Sequence, residues 1–374
     1  MSDIIVTPVT NRIGWKRFID LPWQIYKSDP NWVPPLRLDM WNTINPKKNP
    51  LLKLGPYRYF LAWRNGKTVG RIGVGIDERL NERKNRKEGY LTLFECINDY
   101  AVAEALFDTD LGWLKEMGMT SVTGPQSPSN GDDYRGLLIK GFDSPPVLLD
   151  SYNPSYYPEF FEAYGFKKQF DRYAFYFKVS PDLTERFERG VNYAMKRYGY
   201  TVRTVNLKRL EDELVRLKAV IDRAHPEWPD MVPPTIEEIK EEAAKLLPVV
   251  DPDFVVIAET TDGTPVGFMV GLPDYNQVLK HLNGRLLPFG FLKFLWYKKK
   301  ITGGRSLILF VDPDYHKKGV SAALYLKAFK AALAKGYTYG EGGTIHEFNQ
   351  KMVQDAIGAG GELYKIYRIY ERAL

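Results

Sequence analysis

The chain has 374 residues, 44% of them hydrophobic and 14% aromatic. That is enough for two domains with separate cores, and it excludes a disordered chain. The formal charge of +6 and pI ≈ 9.0 suit an anionic partner, whether a nucleotide-bearing cofactor, nucleic acid or an anionic membrane surface. The single cysteine, Cys96, excludes an intrachain disulfide and fits a reducing cytoplasm; it lies in an apolar run and reads as a buried core residue.

No basic region followed by an apolar stretch opens the chain, so no leader is expected, and no run approaches the ~20 apolar residues of a membrane span. In the first half, residues 4–7 predict a strand and 12–26 a helix, followed by a Pro- and Trp-rich loop at 30–35. Strands over 57–64 and 68–77 flank Asn65-Gly66, a hairpin signal. The charged stretch 78–87 lacks periodicity and reads as a loop. A strand over 90–96 follows. Val102, Leu106, Trp113 and Met117 then mark one helix face, stopped at Gly118. Strand 121–124, helix 156–164 and strand 172–179 complete the half. Between them the loop from Gly124 to Asp133 offers Asp132 and Asp133 to a cationic acceptor or is plain surface.

A linking helix near 183–197 leads into the second half, and the boundary is expected at 180–198. Strand 200–205 precedes helices at 210–224 and 236–247, separated by His225-Pro226-Glu227-Trp228-Pro229. Strands 254–259 and 265–271 flank Asp262-Gly263, and strand 306–311 follows. Ala322, Leu326, Phe329 and Leu333 form a helical stripe ended by Gly336; strand 337–340, helix 349–357 and strand 364–370 close the chain. Both halves thus follow one order of elements. The expected fold class is α/β, a mixed sheet with helices on both faces in each of two domains, 1–180 and 199–374.

The segment Leu307-Ile308-Leu309-Phe310-Val311-Asp312-Pro313-Asp314-Tyr315-His316-Lys317-Lys318-Gly319-Val320-Ser321 carries the clearest chemistry. A strand meets a turn and then a helix with glycine at its start. Unpaired amides and the helix dipole make such a terminus an anion site, and Lys317 and Lys318 add charge. At these residues the chain resembles the GNAT family of acetyl-CoA-dependent N-acyltransferases, whose pyrophosphate loop reads Arg/Gln-x-x-Gly-x-Gly/Ala. His316 holds the first position, Gly319 matches, and Ser321 holds the last small position. The likeness continues through Glu341-Gly342-Gly343-Thr344-Ile345, Asn349-Gln350-Lys351-Met352 and Gly358 to Gly361. In the first half it covers Asn153-Pro154-Ser155-Tyr156-Tyr157 and Tyr164-Gly165-Phe166.

The resemblance implies two tandem GNAT-like folds, with acetyl-CoA or another acyl-CoA as cosubstrate. It would be held by Phe310, Val311, His316, Lys317, Lys318, Gly319, Val320, Ser321 and Asn349. It also implies a small-molecule or peptide amine as acceptor. The equivalent turn of the first half, Ile97-Asn98-Asp99-Tyr100-Ala101-Val102, has no glycine or cation and carries Asp99, so that half reads as a structural or acceptor-binding copy. The family's thiolate-protonating tyrosine falls on Ala356 in the second half and Phe161 in the first; Tyr364 and Tyr367 are the available substitutes.

Glu341 and Glu259, at strand ends, are the candidate bases, with Tyr364 as acid; His346 and His225 are further polar candidates. The histidines and Cys96 lack metal-ligand spacing. Nucleic acid is not an expected partner, since the partly basic stretch 78–87 lacks interleaved aromatics. Residues 286–300, apolar and aromatic before three lysines, either pack on the first domain or meet an anionic membrane or a lipid-like acceptor. Two other functions compete with acyl-CoA transfer: aminoacyl transfer from tRNA, as in peptidoglycan-bridge enzymes of tandem GNAT fold, and CoA binding without catalysis.

Overall fold

A computed structural model describes residues 3–128, 131, 136–225, 228 and 230–374. Asp132 and Asp133 lie outside the described residues. The chain divides into two compact units: residues 1–172, 276–297 and 365–374 form unit 1, and residues 173–275 and 298–364 form unit 2.

In chain order the first unit holds β1 (Ile5–Pro8), α1 (Arg12–Asp20), α2 (Pro22–Ile25), α3 (Arg37–Ile44), β2 (Tyr57–Arg64), β3 (Lys67–Ile76), α4 (Glu78–Lys84), β4 (Glu88–Cys96), α5 (Tyr100–Glu116), β5 (Ser121–Gly124), β6 (Leu137–Lys140) and α6 (Tyr157–Ala163). The chain passes from unit 1 to unit 2 within β7 (Lys167–Lys178). Unit 2 continues with α7 (Pro181–Tyr198), β8 (Tyr200–Thr204), α8 (Leu210–Ala224), α9 (Ile236–Leu246), β9 (Val255–Thr260) and β10 (Pro265–Pro273). The excursion back into unit 1 carries α10 (Asn276–Leu279) and most of α11 (Gly290–Lys298). Then come β11 (Gly303–Val311), α12 (Val320–Ala334), β12 (Tyr339–His346), α13 (Gln350–Gly358) and β13 (Glu362–Ala373).

Local sequence explains where these elements depart from the periodicity reading. The helix expected over 12–26 breaks between Leu21 and Pro22, because proline offers no N–H to continue the ladder. The expected loop 78–87 contains α4. Asp77 caps it by accepting from Leu80 N at 2.9 Å, and Asn85 ends it in the left-handed region at φ 49°. Caps, not an apolar stripe, define that helix. The expected linking helix, 181–198, belongs to unit 2 as α7, where Glu188 pairs with Lys330 of α12.

Unit 1 orders its strands β1-β2-β3-β4-β5 and then the C-terminal part of β13. The β4–β5 pair is parallel and its other neighbours antiparallel; Tyr370 pairs with Gly124 and Ala373 with Ser121. The last strand of the chain thus completes the first unit's sheet. An aromatic core packs under it: Phe94 stacks on Phe107 at 5.1 Å, and Phe161 meets both edge-on. Burying each such ring contributes about 1.5–3 kcal/mol.

Unit 2 orders β8-β9-β10-β11-β12, with β11 and β12 parallel. Val220, Ile221, Ile257 and Phe268 centre its core between α8 and the β9–β10 hairpin. Each unit repeats the same device, a β-hairpin, a central strand, a helix and a parallel strand.

Candidate functional site

The central parallel pair of unit 2 is only half formed. Gly303, Gly304, Arg305 and Ser306 of β11 pair with Tyr339, Gly340, Glu341 and Gly342 of β12, and pairing stops there. Beyond it, Ile308, Leu309, Phe310 and Val311 remain paired to β10 alone. A register shift places Gly271 opposite Ser306 and Val270 opposite Ile308, so Leu307 is the extra residue of a bulge. Successive amides alternate in direction along a strand, so every second amide of 307–311 faces the opening. Phe310 and Val311, half-buried, sit on this stretch.

The strand runs straight into the loop singled out from sequence. Asp312 receives Asp314 N at 3.0 Å and is held by Arg223 of α8, which also donates to Pro265 O at 2.7 Å. Tyr200 donates to Lys318 O at 3.0 Å. Gly319 adopts φ 78° and ψ 11°, a left-handed conformation that glycine takes without steric cost. A Cβ there would lie 3.0 Å from Ala194 Cβ. The first intrahelical bond of α12 is Ala323 N to Gly319 O, at 3.0 Å. The amides of Val320, Ser321 and Ala322 therefore precede the helix ladder and aim outward from its positive end.

Not every expected contact is a side-chain one. Val320 is 1% exposed, so only its amide can reach a ligand. His316 directs Nε2 to Val311 O at 3.1 Å, which ties the ring to its own strand. Ser321 donates to Asp355 at 3.2 Å, and Asn349 caps α13 by accepting from Met352 N at 3.2 Å. Lys317 is exposed, and Lys318 lies over the Tyr315 ring at 4.6 Å. A further cation escaped the sequence reading: burial and then the nearby Lys317 lower the Lys351 ammonium, against the opposing pull of Asp355. Lys351 stands on α13, and nothing in the α12 motif pointed to it.

The candidate acid–base residues have distinct fates. Glu259 accepts from Arg203 at 3.0 Å through one oxygen and from Arg216 at 2.5 Å through the other. Both its oxygens serve an ion-pair network that includes Glu213, which suits a structural role better than that of a free base. Glu341 is 2% exposed, 3.4 Å from Arg305 Nε across the strands, and accepts the Tyr364 hydroxyl. Arg305 also donates to Gly343 O at 3.2 Å. Glu341 thus lies between Arg305 and the half-buried Tyr364.

His346 ends β12 on the stretch beyond the split. It is 1% exposed, lies under the Trp228 ring at 5.1 Å, and accepts from Phe348 N at 3.3 Å through Nδ1. Its Nε2 lies 3.8 Å from Asp230, whose side chain is 7% exposed. Trp228 and Asp230 come from the segment between α8 and α9, so this segment and β12 meet at the imidazole. At that distance Asp230 acts on the ring by its charge and not by a hydrogen bond.

The equivalent turn of unit 1 is closed to anions. Asp99 caps α5 by accepting from Ala101 N at 3.1 Å and pairs with Arg64 at 2.6 Å. Its carboxyl is held below the ordinary range, chiefly by the Arg64 hydrogen bond. A carboxylate already fills the place an anion would take.

No protein-family model matches the chain. It is 32% identical over 384 residues to the bacterial ceramide synthase of Caulobacter vibrioides, covering all of this chain and 98% of that protein. It is also 32% identical over 379 residues to protein YghO of Escherichia coli, covering 99% and 95% respectively. This chain belongs to their family. Among solved structures, a tandem GNAT protein from the clavulanic acid biosynthesis pathway superposes with a TM-score of 0.58 at 10% identity, over 99% of this chain and 98% of that one. The fold of this family member is therefore a tandem GNAT fold, the expected α/β class. No helix among its described residues is long and apolar enough to cross a membrane.

Proposed function

We propose that the protein is an acyl-CoA-dependent N-acyltransferase whose acceptor is the amine of a long-chain, amphipathic molecule. The observation that carries this reading is the continuous path from the open edge of β11 through Gly319 to the free amides opening α12. The amides of Val320, Ser321 and Ala322, with Lys317, Lys318 and Lys351, offer a pyrophosphate both donors and charge. The open edge of 307–311 offers backbone donors to a thioester carbonyl, and these strengthen as its oxygen becomes an oxyanion. The long-chain acceptor is supported by the relative named as a ceramide synthase, because a ceramide is the amide of a long-chain amino alcohol.

In the reaction the amine nitrogen attacks the carbonyl carbon, a C–N bond forms, and the C–S bond breaks. At Nδ1 His346 receives the proton the nitrogen loses, giving up the Phe348 N–H it accepts there, while Nε2 faces the Asp230 carboxylate at 3.8 Å. The departing thiolate takes a proton from water, or from Tyr364 once its hydroxyl turns away from Glu341, whose carboxylate Arg305 holds. Incubation of the protein with a series of acyl-CoAs and a long-chain amino alcohol, followed by free-thiol release and mass detection of the amide, tests the reading. Release that depends on both substrates is expected. CoA binding without release across the acyl and amine series would reduce the protein to a CoA-binding module.

A further inference from the structure

The excursion 276–297 buries Val278 and Leu282 but leaves most of its later apolar residues exposed. Leu287 and Phe289 are each 74% exposed, and Leu292, Leu295 and Trp296 are all more than half exposed. Within α11, Phe291, Leu292, Leu295 and Trp296 share one face at 3.6-residue spacing. The excursion is nonetheless firmly seated in unit 1. Trp23 Nε1 donates to Asn283 at 2.8 Å, Arg37 donates to Asn283 O at 3.1 Å, and Asn276 donates to Pro146 O at 2.8 Å. Tyr297 stacks on His281 with centroids 3.7 Å apart, on the side of α11 away from the exposed face. A held scaffold therefore presents a contiguous run of large apolar side chains to solvent, which soluble surfaces rarely do without a partner.

Charge identifies the partner. No residue from 276 to 297 is Asp or Glu, while Lys280, Arg285 and Lys293 are all exposed. Arg285 also lines a cleft of about 400 Å³ with Arg12, Lys16, Arg37, Trp15 and Trp41. Asp20 pairs with Lys16 at 2.9 Å and Arg37 at 2.8 Å; Arg12 and Arg285 add two further cations. The helices that form the cleft expose Ile13, Leu38 and Trp41 as well. Apolar side chains beside a basic, indole-walled cleft match the acyl–headgroup boundary of an anionic bilayer.

We infer that unit 1 docks on the surface of an anionic lipid bilayer, with Leu287, Phe289 and the Phe291/Leu292/Leu295/Trp296 face entering the acyl boundary and the Arg12–Arg285 cleft seating a lipid phosphate. Flotation of the full chain with vesicles of phosphatidylcholine alone, or containing phosphatidylglycerol, tests this. Vesicle binding needs neither acyl donor nor acceptor, so its outcome is separate from that of the acyl-transfer assay. Binding is expected on the anionic vesicles only, and at least about tenfold weaker for Leu287→Ser/Phe289→Ser/Leu292→Ser/Trp296→Ser. That variant keeps every charge, so simple attraction of a basic protein would leave it bound. Arg12→Gln/Arg285→Gln should weaken binding to anionic vesicles comparably. The altered side chains are solvent-facing, and an unchanged circular dichroism melt checks that the variants fold. Equal binding to both vesicle types, or full binding by the serine variant, would overturn the proposal. So would a dimer in light scattering that the serine substitutions dissociate, since a second copy would then cover the face.

Discussion

Replacing Gly319 separates two ways in which the α12 loop can fail. At φ 78° an alanine meets a left-handed backbone cost of about 1–2 kcal/mol. Its Cβ would also sit 3.0 Å from Ala194 Cβ, so the loop must shift by a few tenths of an ångström. Gly319→Ala should therefore weaken CoA binding modestly, by about tenfold, since one strained residue costs on the order of 1.4 kcal/mol. Gly319→Glu carries the same strain and adds a carboxylate beside the amides of Val320, Ser321 and Ala322. Loss of two charge-assisted hydrogen bonds at about 1.5 kcal/mol each adds about 3 kcal/mol, a further ~150-fold in Kd. Calorimetric titration of free CoA and acetyl-CoA into parent, Ala and Glu proteins gives the three constants. Equal weakening by Ala and Glu would show that the backbone shape matters and the amides do not touch the anion. An unaltered Kd for the Glu variant would remove the α12 loop from the cofactor site.

Further substitutions test the rest of the site and the fold. His346→Asn should lower kcat by about 10²–10³-fold with CoA affinity unchanged, and Asp230→Asn should lower it less; steady-state kinetics with the amine and acyl-CoA read both. Asp110 lies fully buried in α5 with no hydrogen-bonding or ionic partner among the described residues, and burial raises its carboxyl well above the ordinary range. A raised folded value means that Asp110 favours folding at low pH and that this contribution is lost as pH rises from the ordinary carboxylate range through the folded value. Asp110→Asn should thus raise Tm at neutral pH by about 4 °C, with the gap closing as the pH falls toward 4, in parallel thermal melts. Arg305→Met strips Glu341 of its buried counter-charge and should cost about 3–5 kcal/mol in denaturant unfolding; adding Glu341→Gln should recover part of that loss.

Much of the fold was legible because hairpins and amphipathic helices announce themselves locally. Asn65-Gly66 and Asp262-Gly263 marked the two central hairpins, and the stripe from Ala322 to Leu333 marked α12. Two things were not legible. The helix α4 depends on caps at Asp77 and Asn85, and its charged face has no period to detect. The destination of β13 depends on which sheet edge is available, and a strand pattern specifies its own two faces but not its neighbour.

The chemical site shows the same division between what local sequence encodes and what tertiary structure decides. Gly319 was readable because it opens a helix just after a strand and a turn, and the donors beside it are backbone amides, present whatever the side chains are. Acid–base residues carry no such signature. Glu259 and Glu341 were attractive as carboxylates at strand ends, yet arginines distant in sequence, Arg203, Arg216 and Arg305, meet them in the fold. His346 gains its distinction only when Asp230, 116 positions earlier, approaches its Nε2. What decides the role of a titratable group is the charge brought against it, and that is a property of long-range contacts. A loop whose donors are backbone amides can be found in a sequence; a side chain whose role depends on its neighbours must be found in a structure.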